Sequence, residues 1–179
     1  MTKHEGRATL TLEGGLSDRA ALTYEPVSHP DPFQILVAEH ALLRQDMERA
    51  VAAARKRGAS PGMDRRLEAL ASRFRLHTRR EDRVVVPVCE RLFGGKDGAA
   101  AVMREEHGAI TEGLHSLSRD RVSPEGLQER IARLKTHVET HFAKEERVLF
   151  PLMAALLSNP EASALARRLR SVPDARDEG

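Results

Sequence analysis

Apolar residues recur at helical spacing in four long segments of the chain, and short stretches rich in glycine, proline and serine separate these segments. An aspartate or serine followed by proline opens three of the four, at residues 31–32, 60–61 and 123–124. A capping side chain followed by proline at the first helical position is a typical helix start. The pattern predicts helices over about residues 32–57, 60–93, 98–118 and 123–157.

The connections between these segments are short, about three to six residues, and short connections make sequential helices antiparallel neighbours. We therefore expect an all-α fold, an up-down-up-down antiparallel four-helix bundle over residues 32–158. Residues 1–31 are predicted to form a flexible N-terminal tail, in which "ATLTLEG" is compatible with a short strand. Residues 159–179 are predicted to form a short C-terminal helix, "NPEASALARRLR", and a frayed end.

Composition and charge exclude several classes of function. The net charge is +2, and basic and acidic residues alternate rather than form blocks, so no nucleic-acid footprint is expected. No apolar run approaches the ~18 residues that cross a membrane, and the N-terminus lacks a signal-peptide core. Cys89 is the single cysteine, which rules out an internal disulfide, and a buried structural thiol is expected there. These features favour a cytoplasmic protein.

The chain repeats itself in two places. "HTRREDRVVVP" at residues 77–87 matches "HFAKEERVLFP" at residues 141–151, with an offset of 64 residues. A weaker match joins "EHALL" at residues 39–43 to "EHGAI" at residues 106–110. The second and fourth helices thus each carry His-x-x-x-Glu, whose two side chains lie on one helix face. The first and third helices each carry a single histidine. The prolines that close the longer repeat are expected to kink the helices or tighten their ends.

Six residues of these repeats are candidate metal ligands. Burying imidazoles and carboxylates beside apolar runs is costly unless something pairs with them. Helix bundles build metal sites from such inward side chains. One ion rarely uses six side chains from four helices, whereas two ions bridged by both carboxylates, each also bound by two histidines, would use all of them. The mixed ligands suit iron, with manganese and zinc as alternatives. The candidates are His40, His77, Glu81, His107, His141 and Glu145.

The sequence resembles the hemerythrin-like, or HHE cation-binding, family over about residues 32–157. The resemblance implies a carboxylate-bridged pair of non-haem iron ions (Fe2+/Fe3+), with room for an oxo or hydroxo bridge, held by the six residues above. The chain departs from oxygen-carrying hemerythrins at Thr111, where those proteins have a second histidine, and in the short spacing from His141 to Glu145. The pattern H, HxxxE, H, HxxxE is more similar to the subgroup linked to nitric-oxide and oxidative stress, iron–sulfur repair and iron sensing.

Other polar residues near the repeats leave alternatives open. For each His-x-x-x-Glu pair, the alternative to ligation is a surface contact worth a few tenths of a kcal/mol. His137 is either an additional ligand or an outer histidine, and Glu39 and Glu106 are either solvated or orient an imidazole N–H. Asp82 and Glu146 are expected to be surface charges.

The remaining expectations concern outer residues. His115 is expected at the surface or in an outer layer, and Tyr24 in the tail is a weak candidate to gate the metals. Four phenylalanines are expected to pack the core and keep water from the metals: Phe33, Phe74, Phe142 and Phe150.

Three functions fit these features. The first is a di-iron protein that binds or reduces a small diatomic or peroxide, such as O2, NO or H2O2, in the response to oxidative or nitrosative stress. The second is an iron or oxygen sensor, and the third is an iron donor for iron–sulfur cluster repair. The last two act through a protein partner, a client protein or a second copy of the chain. The sequence does not choose between an enzyme and a binding protein.

Overall fold

A computed structural model of the chain describes residues 7–9, 23–25, 31–57, 61–95, 98–119 and 123–173. The chain divides into two compact units, Met1–Pro30 and Asp31–Gly179. In the first unit, strands β1 (Arg7–Thr9) and β2 (Thr23–Glu25) pair antiparallel, with Ala8 opposite Tyr24. Strand β1 overlaps the predicted strand segment "ATLTLEG" at Ala8 and Thr9, and the rest of that segment lies outside the described residues. The expectations of tail flexibility and of a gate at the Tyr24 side chain lie outside the described part of the chain.

The described residues of the second unit are helical, as predicted. Two π-helical turns, π1 and π2, interrupt the second and fourth predicted helices, and the predicted C-terminal helix is present as α7. The elements are α1 (Pro32–Arg57), α2 (Pro61–Arg80), π1 (Glu81–Val85), α3 (Val86–Phe93), α4 (Ala99–Arg119), α5 (Pro124–Lys144), π2 (Glu145–Leu149), α6 (Phe150–Leu156) and α7 (Asn159–Ser171). No helix within these ranges is both long enough and apolar enough to cross a bilayer.

Side-chain caps fix three of the helix starts. The Asp31 carboxylate accepts a hydrogen bond from the Phe33 backbone N–H at 2.9 Å, and the Ser123 hydroxyl oxygen accepts one from the Gly126 N–H at 3.1 Å. At α7, Ser158 and Glu161 form a capping box. Two of these caps, at 31 and 123, are those that the sequence predicts.

The long helices pack as a ring: α1 contacts α2 and α5, and α4 contacts the same two helices. Buried apolar side chains form two clusters along the bundle. On α1, Leu43 belongs to one cluster and Leu36 to the other, and His40 lies between them. The α4–α5 contact is close, because a Cβ on Gly113 would lie 2.9 Å from Leu134 Cδ1. Because His40 lies between the two apolar clusters, the polar residues of the repeats are held between two apolar layers.

Each π turn begins at a glutamate of the longer repeat and is followed by its proline. Pro87 has no N–H, and its ring would clash with the carbonyl four residues earlier in a regular α-helix. The hydrogen bonds shift to the wider spacing: Val86 N–H donates to the Glu81 carbonyl, and Phe150 N–H donates to the Glu145 carbonyl. Sequence reasoning expected the prolines to kink or tighten the helices and did not predict these turns.

Candidate metal centre

The structure brings all six predicted ligands together inside the bundle, and each is at least 95 % buried. One histidine comes from each of the four long helices, and each carboxylate is the first residue of a π turn. The exposed fractions of the residues are His40 0 %, His77 1 %, Glu81 0 %, His107 4 %, His141 1 % and Glu145 2 %. Burial of six titratable side chains in one place demands compensation for the lost solvation.

These residues form two groups of four that share both carboxylates. In each group, four potential ligand atoms lie within 4.8 Å of one another. One group contains His40 and His77, the other contains His107 and His141, and both contain Glu81 and Glu145. Two groups with common carboxylates are what a bridged pair of ions requires.

Distances around the shared carboxylates show how closely the imidazoles converge. Glu81 Oε2 lies 3.2 Å from the Nε2 atoms of both His77 and His107, one from each group. Glu145 Oε2 lies 3.2 Å from His40 Nε2, and Glu145 Oε1 lies 3.5 Å from His141 Nε2. Each carboxylate therefore reaches both groups.

Several inward atoms have no hydrogen-bond partner within the part of the chain that the structure describes. Both carboxylate oxygens of Glu81 and of Glu145, and the Nε2 atoms of His107 and His141, are buried without a hydrogen bond from any described residue. A buried polar atom without a partner costs about 1–3 kcal/mol, and a charged one costs more. Cations bound between these atoms would remove that cost. The residues present therefore fit a pair of metal ions.

An outer layer of carboxylates orients the histidines. His77 Nδ1 lies 3.0 Å from Glu39, and His141 Nδ1 lies 3.0 Å from Glu106. With Nδ1–H donating outward, the Nε2 lone pair points toward the centre, which is the usual arrangement behind a metal-bound histidine. This is the orienting role that the sequence allowed for Glu39 and Glu106, although each acts on a histidine of a neighbouring helix rather than on the histidine beside it.

The same arrangement holds for the other two histidines. Asp82 is exposed and Glu146 is partly buried, so the expectation of a surface charge holds for Asp82, but neither contact with a histidine was predicted. Glu146 Oε1 lies 2.8 Å from His40 Nδ1, and Asp82 Oδ1 lies 2.8 Å from His107 Nδ1. Both acids were expected to be surface charges, because an α-helix turns each residue far from the preceding one. A π turn holds more residues per turn, so the residue after each shared glutamate is rotated less from it. The signal available in the sequence was that both copies of the repeat carry an acid at this position.

Basic side chains in turn pair with the outer acids. Arg44 Nη1 lies 2.8 Å from Glu146 Oε1, and its Nε lies 3.0 Å from Glu139. Arg80 pairs with Glu39, and Lys144 pairs with Glu106. These pairs hold three of the four outer carboxylates in position.

A family comparison agrees with this geometry. The family model described as "Hemerythrin HHE cation binding domain" matches residues 31–123 and 99–175. The chain belongs to this hemerythrin HHE family. The second match begins at the start of α4, the first helix of the second copy of the repeat. The resemblance inferred from the motifs is thereby confirmed. No curated protein and no solved structure matches the chain.

In this hemerythrin domain, the electrostatics favour charged groups at the centre when no metal is bound. Burial alone lowers the pKa of His77, but the charge of Glu81 and the hydrogen bond to Glu39 outweigh it and raise that pKa to about 10. Burial likewise lowers the pKa of His107, but the hydrogen bond to Asp82 and the nearby carboxylate of Glu81 raise it to about 9. In the metal-free centre, protons on these histidines supply positive charge that metal ions would otherwise supply. Metal binding must therefore release these protons.

The two shared carboxylates differ in their acidity. Burial opposes ionisation of Glu81, but the charge of His77 outweighs it and holds the pKa of Glu81 well below its usual range. Burial raises the pKa of Glu145, and the neighbouring charge of Glu81 raises it further. Two carboxylates this close do not ionise independently, and a pair of cations would stabilise the ionised form of both.

The sequence also led to expectations for several residues outside these six. His137 and His115 are exposed, so neither is a ligand in this arrangement. Cys89 is buried, as expected. The four phenylalanines expected in the core are all at least 97 % buried, and the Phe142 ring stacks on the His40 ring at a centroid distance of 3.8 Å.

Proposed function

We propose that this hemerythrin domain holds two non-haem iron ions and uses them to bind or reduce a small exogenous ligand. In this proposal His40 and His77 hold one ion, His107 and His141 hold the other, and Glu81 and Glu145 are shared. The observation that carries it is the set of buried carboxylate oxygens without a hydrogen-bond partner among the described residues, facing Nε2 atoms of both groups.

The proposal includes an alternating up-down direction of the four long helices. The short connections between consecutive helices support it, since α1 ends at Arg57 and α2 begins at Pro61, and α4 ends at Arg119 and α5 begins at Pro124. The ring of contacts among α1, α2, α4 and α5 supports the same arrangement.

Iron is favoured by the donor set. Each group offers two imidazole nitrogens and one oxygen from each shared carboxylate, a mixture that suits iron. Zinc prefers a closed tetrahedral site, whereas iron accepts five or six ligands and so retains a position for another molecule. When bound, a pair of irons supplies one-electron redox steps and an open position for O2, NO or H2O2.

The chain's own residues hold and insulate such a pair. The outer acids Glu39, Asp82, Glu106 and Glu146 accept Nδ1–H from the four histidines, fix the tautomer and raise the basicity of Nε2. The buried phenylalanines exclude water, which strengthens the electrostatic interactions inside. A cytoplasmic role in oxidative or nitrosative stress, through reaction with one of these ligands, is the function that we infer from this combination.

Metal titration of the purified protein tests the proposal. Metal-free protein titrated anaerobically with ferrous iron should bind about two ions per chain and, after exposure to O2 or NO, change its optical spectrum. Glu105, an exposed neighbour of Glu106, offers the control variant Glu105→Gln, which should bind the same amount. Binding of fewer than two irons by the parent protein, or an optical spectrum that O2 and NO both leave unchanged, contradicts the proposal. Transfer of the bound iron to a client protein without reaction with O2, NO or H2O2 would instead favour an iron donor.

A further inference from the structure

An apolar cavity of about 340 Å³ lies beside one of the two groups of ligands. Its lining includes His141 and Glu145 of the centre. Met103 and Leu149, both buried, belong to its inner wall. Its rim carries apolar side chains that are unusually exposed: Phe93 37 %, Val102 45 %, Val148 55 % and Leu152 50 %. The cavity therefore connects the surface with His141 and Glu145, and we call the group that contains His107 and His141 the cavity half.

The other group, with His40 and His77, is packed against aromatic rings, and we call it the aromatic half. The His40 ring stacks on Phe142, with ring centroids 3.8 Å apart, and on Phe150 at 5.9 Å. Phe33 stacks on Phe150 at 4.9 Å, and the edge of His77 meets Phe142 at 5.6 Å. His40 has no exposed surface. Among the described residues, these rings pack directly against His40 and His77.

The chemistry of the cavity selects its occupant. The polar side chains in its lining outside the centre, Glu106 and Lys144, pair with each other, and Glu106 also accepts from His141. Against the apolar side chains of the lining, a peroxide or an anion would give up hydrogen bonds to water without replacing them, at a cost of several kcal/mol on the water-to-hydrocarbon scale. An uncharged diatomic gas has almost no such bonds to lose. The polar atoms without a partner in the lining of this cavity belong to Glu145 and His141.

We propose that the cavity lined by Val102, Met103, Val148, Leu149 and Leu152 admits and concentrates an uncharged diatomic gas, and that the gas meets the centre at its cavity half. This inference rests on the proposed function, because it assigns a ligand class and a side of approach to the same centre. It makes the two halves unequal: one is insulated by aromatic rings, and the other receives the ligand.

Bulky substitutions at the rim test the route. Val102→Trp on α4 and Leu152→Trp on α6 narrow the path from different elements, at positions exposed enough to accept a large ring. Leu42→Trp is the matched control, since Leu42 is 54 % exposed on α1 and is not part of the cavity lining. Circular dichroism and iron stoichiometry establish that each variant keeps its fold and its metals.

Two readouts are compared among these proteins. In stopped-flow mixing of NO with the reduced, iron-loaded protein, the two rim variants should associate about tenfold more slowly than the parent, because entry then awaits side-chain motion, and Leu42→Trp should be unchanged. In the metal-free protein, xenon should bind in the cavity of the parent and of Leu42→Trp, and weakly in the rim variants, as judged by xenon NMR.

The outcomes separate this inference from the function on which it rests. NO association at the parent rate in both rim variants, with two irons bound, overturns the route and leaves the di-iron proposal standing. Absence of iron binding by the parent overturns the di-iron proposal, whereas xenon binding to the metal-free protein still tests the cavity. Equal xenon binding by the parent and both rim variants overturns the cavity assignment.

Discussion

The aromatic half and the cavity half of the centre have the same ligands and different surroundings. Each offers two imidazoles, each shares Glu81 and Glu145, and each histidine has an acid behind its Nδ1 atom. The residues around them differ. Phe142 and Phe150, which stack on His40, lie in the second copy of the repeat, and the equivalent residues of the first copy are Thr78 and Val86. The repeat thus preserves what holds the metals and changes what surrounds them. Ligation and access are therefore separable properties of this bundle.

The largest effect is expected from removing one of the two carboxylates that the halves share. Glu81→Ala or Glu145→Ala takes a carboxylate from both groups at once, so iron content should fall from about two to less than one per chain. His107→Ala removes a ligand of the cavity half alone and should leave about one iron per chain. Iron analysis after anaerobic loading measures both, with Glu105→Ala as a surface control. Full iron content in both glutamate variants would refute the shared roles.

The next largest effect is expected on the free energy of unfolding, when equivalent positions of the repeat are each replaced by alanine. Phe142→Ala removes a buried ring that stacks on His40, and should lower the free energy of unfolding by about 3–5 kcal/mol. Thr78→Ala, its counterpart, loses a methyl group and the hydroxyl that donates to the Phe74 carbonyl, and should cost about 1–2 kcal/mol. Urea denaturation of the metal-free proteins gives both values. Equal costs would mean that the Phe142 ring contributes no more to packing than the small side chain at the equivalent position.

A smaller effect is expected from the outer acids. Glu39→Gln acts on His77 in the aromatic half, and Glu106→Gln acts on His141 in the cavity half. Loss of such an orienting carboxylate weakens metal affinity by about 10–100-fold. Competition with a chelator measures the affinity of each variant. Glu105→Gln again serves as the control. Wild-type metal affinity in both outer variants would show that these carboxylates do not contribute to metal binding.

The smallest effect is expected when the pH is raised, which removes the protons bound to His77 in the aromatic half and His107 in the cavity half. In the metal-free protein the raised pKa values of His77 and His107, about 10 and about 9, stabilise the folded state fully below the ordinary histidine pKa. This stabilisation is lost as the pH rises through 9 and then 10. Metal binding requires neutral imidazoles, so iron affinity should increase with pH, by up to roughly tenfold per unit for each proton displaced. NMR titration should show both His77 and His107 of the metal-free protein losing their protons above the ordinary histidine pKa, and loss of either proton at or below it would contradict the expectation.

Much of the bundle and all six central residues could be predicted from the sequence, because their signals are local and repeated. Caps such as Asp31–Pro32 and Ser123–Pro124 mark helix starts directly, and His-x-x-x-Glu places two side chains on one face whatever the tertiary fold. The spacing of these residues along their helices, together with the repeat, was therefore enough to predict that the six candidates meet inside the bundle.

The features that escaped prediction depend on contacts between helices. The π turns reflect a compromise between a proline and the packing around it, so their hydrogen bonds cannot be inferred from the motif alone. The roles of Asp82 and Glu146 follow from those turns and from histidines distant in sequence. The cavity depends on where Val102, Val148 and Leu152 meet, which involves three different elements.

The most direct test of the central claim is a crystal structure of the iron-loaded protein with anomalous data collected at the iron absorption edge. Two anomalous peaks about 3.5–4 Å apart are expected. One should lie against His40 and His77, the other against His107 and His141, with Glu81 and Glu145 contacting both. A single peak, or peaks only at surface residues with these six side chains left without metal, would contradict it.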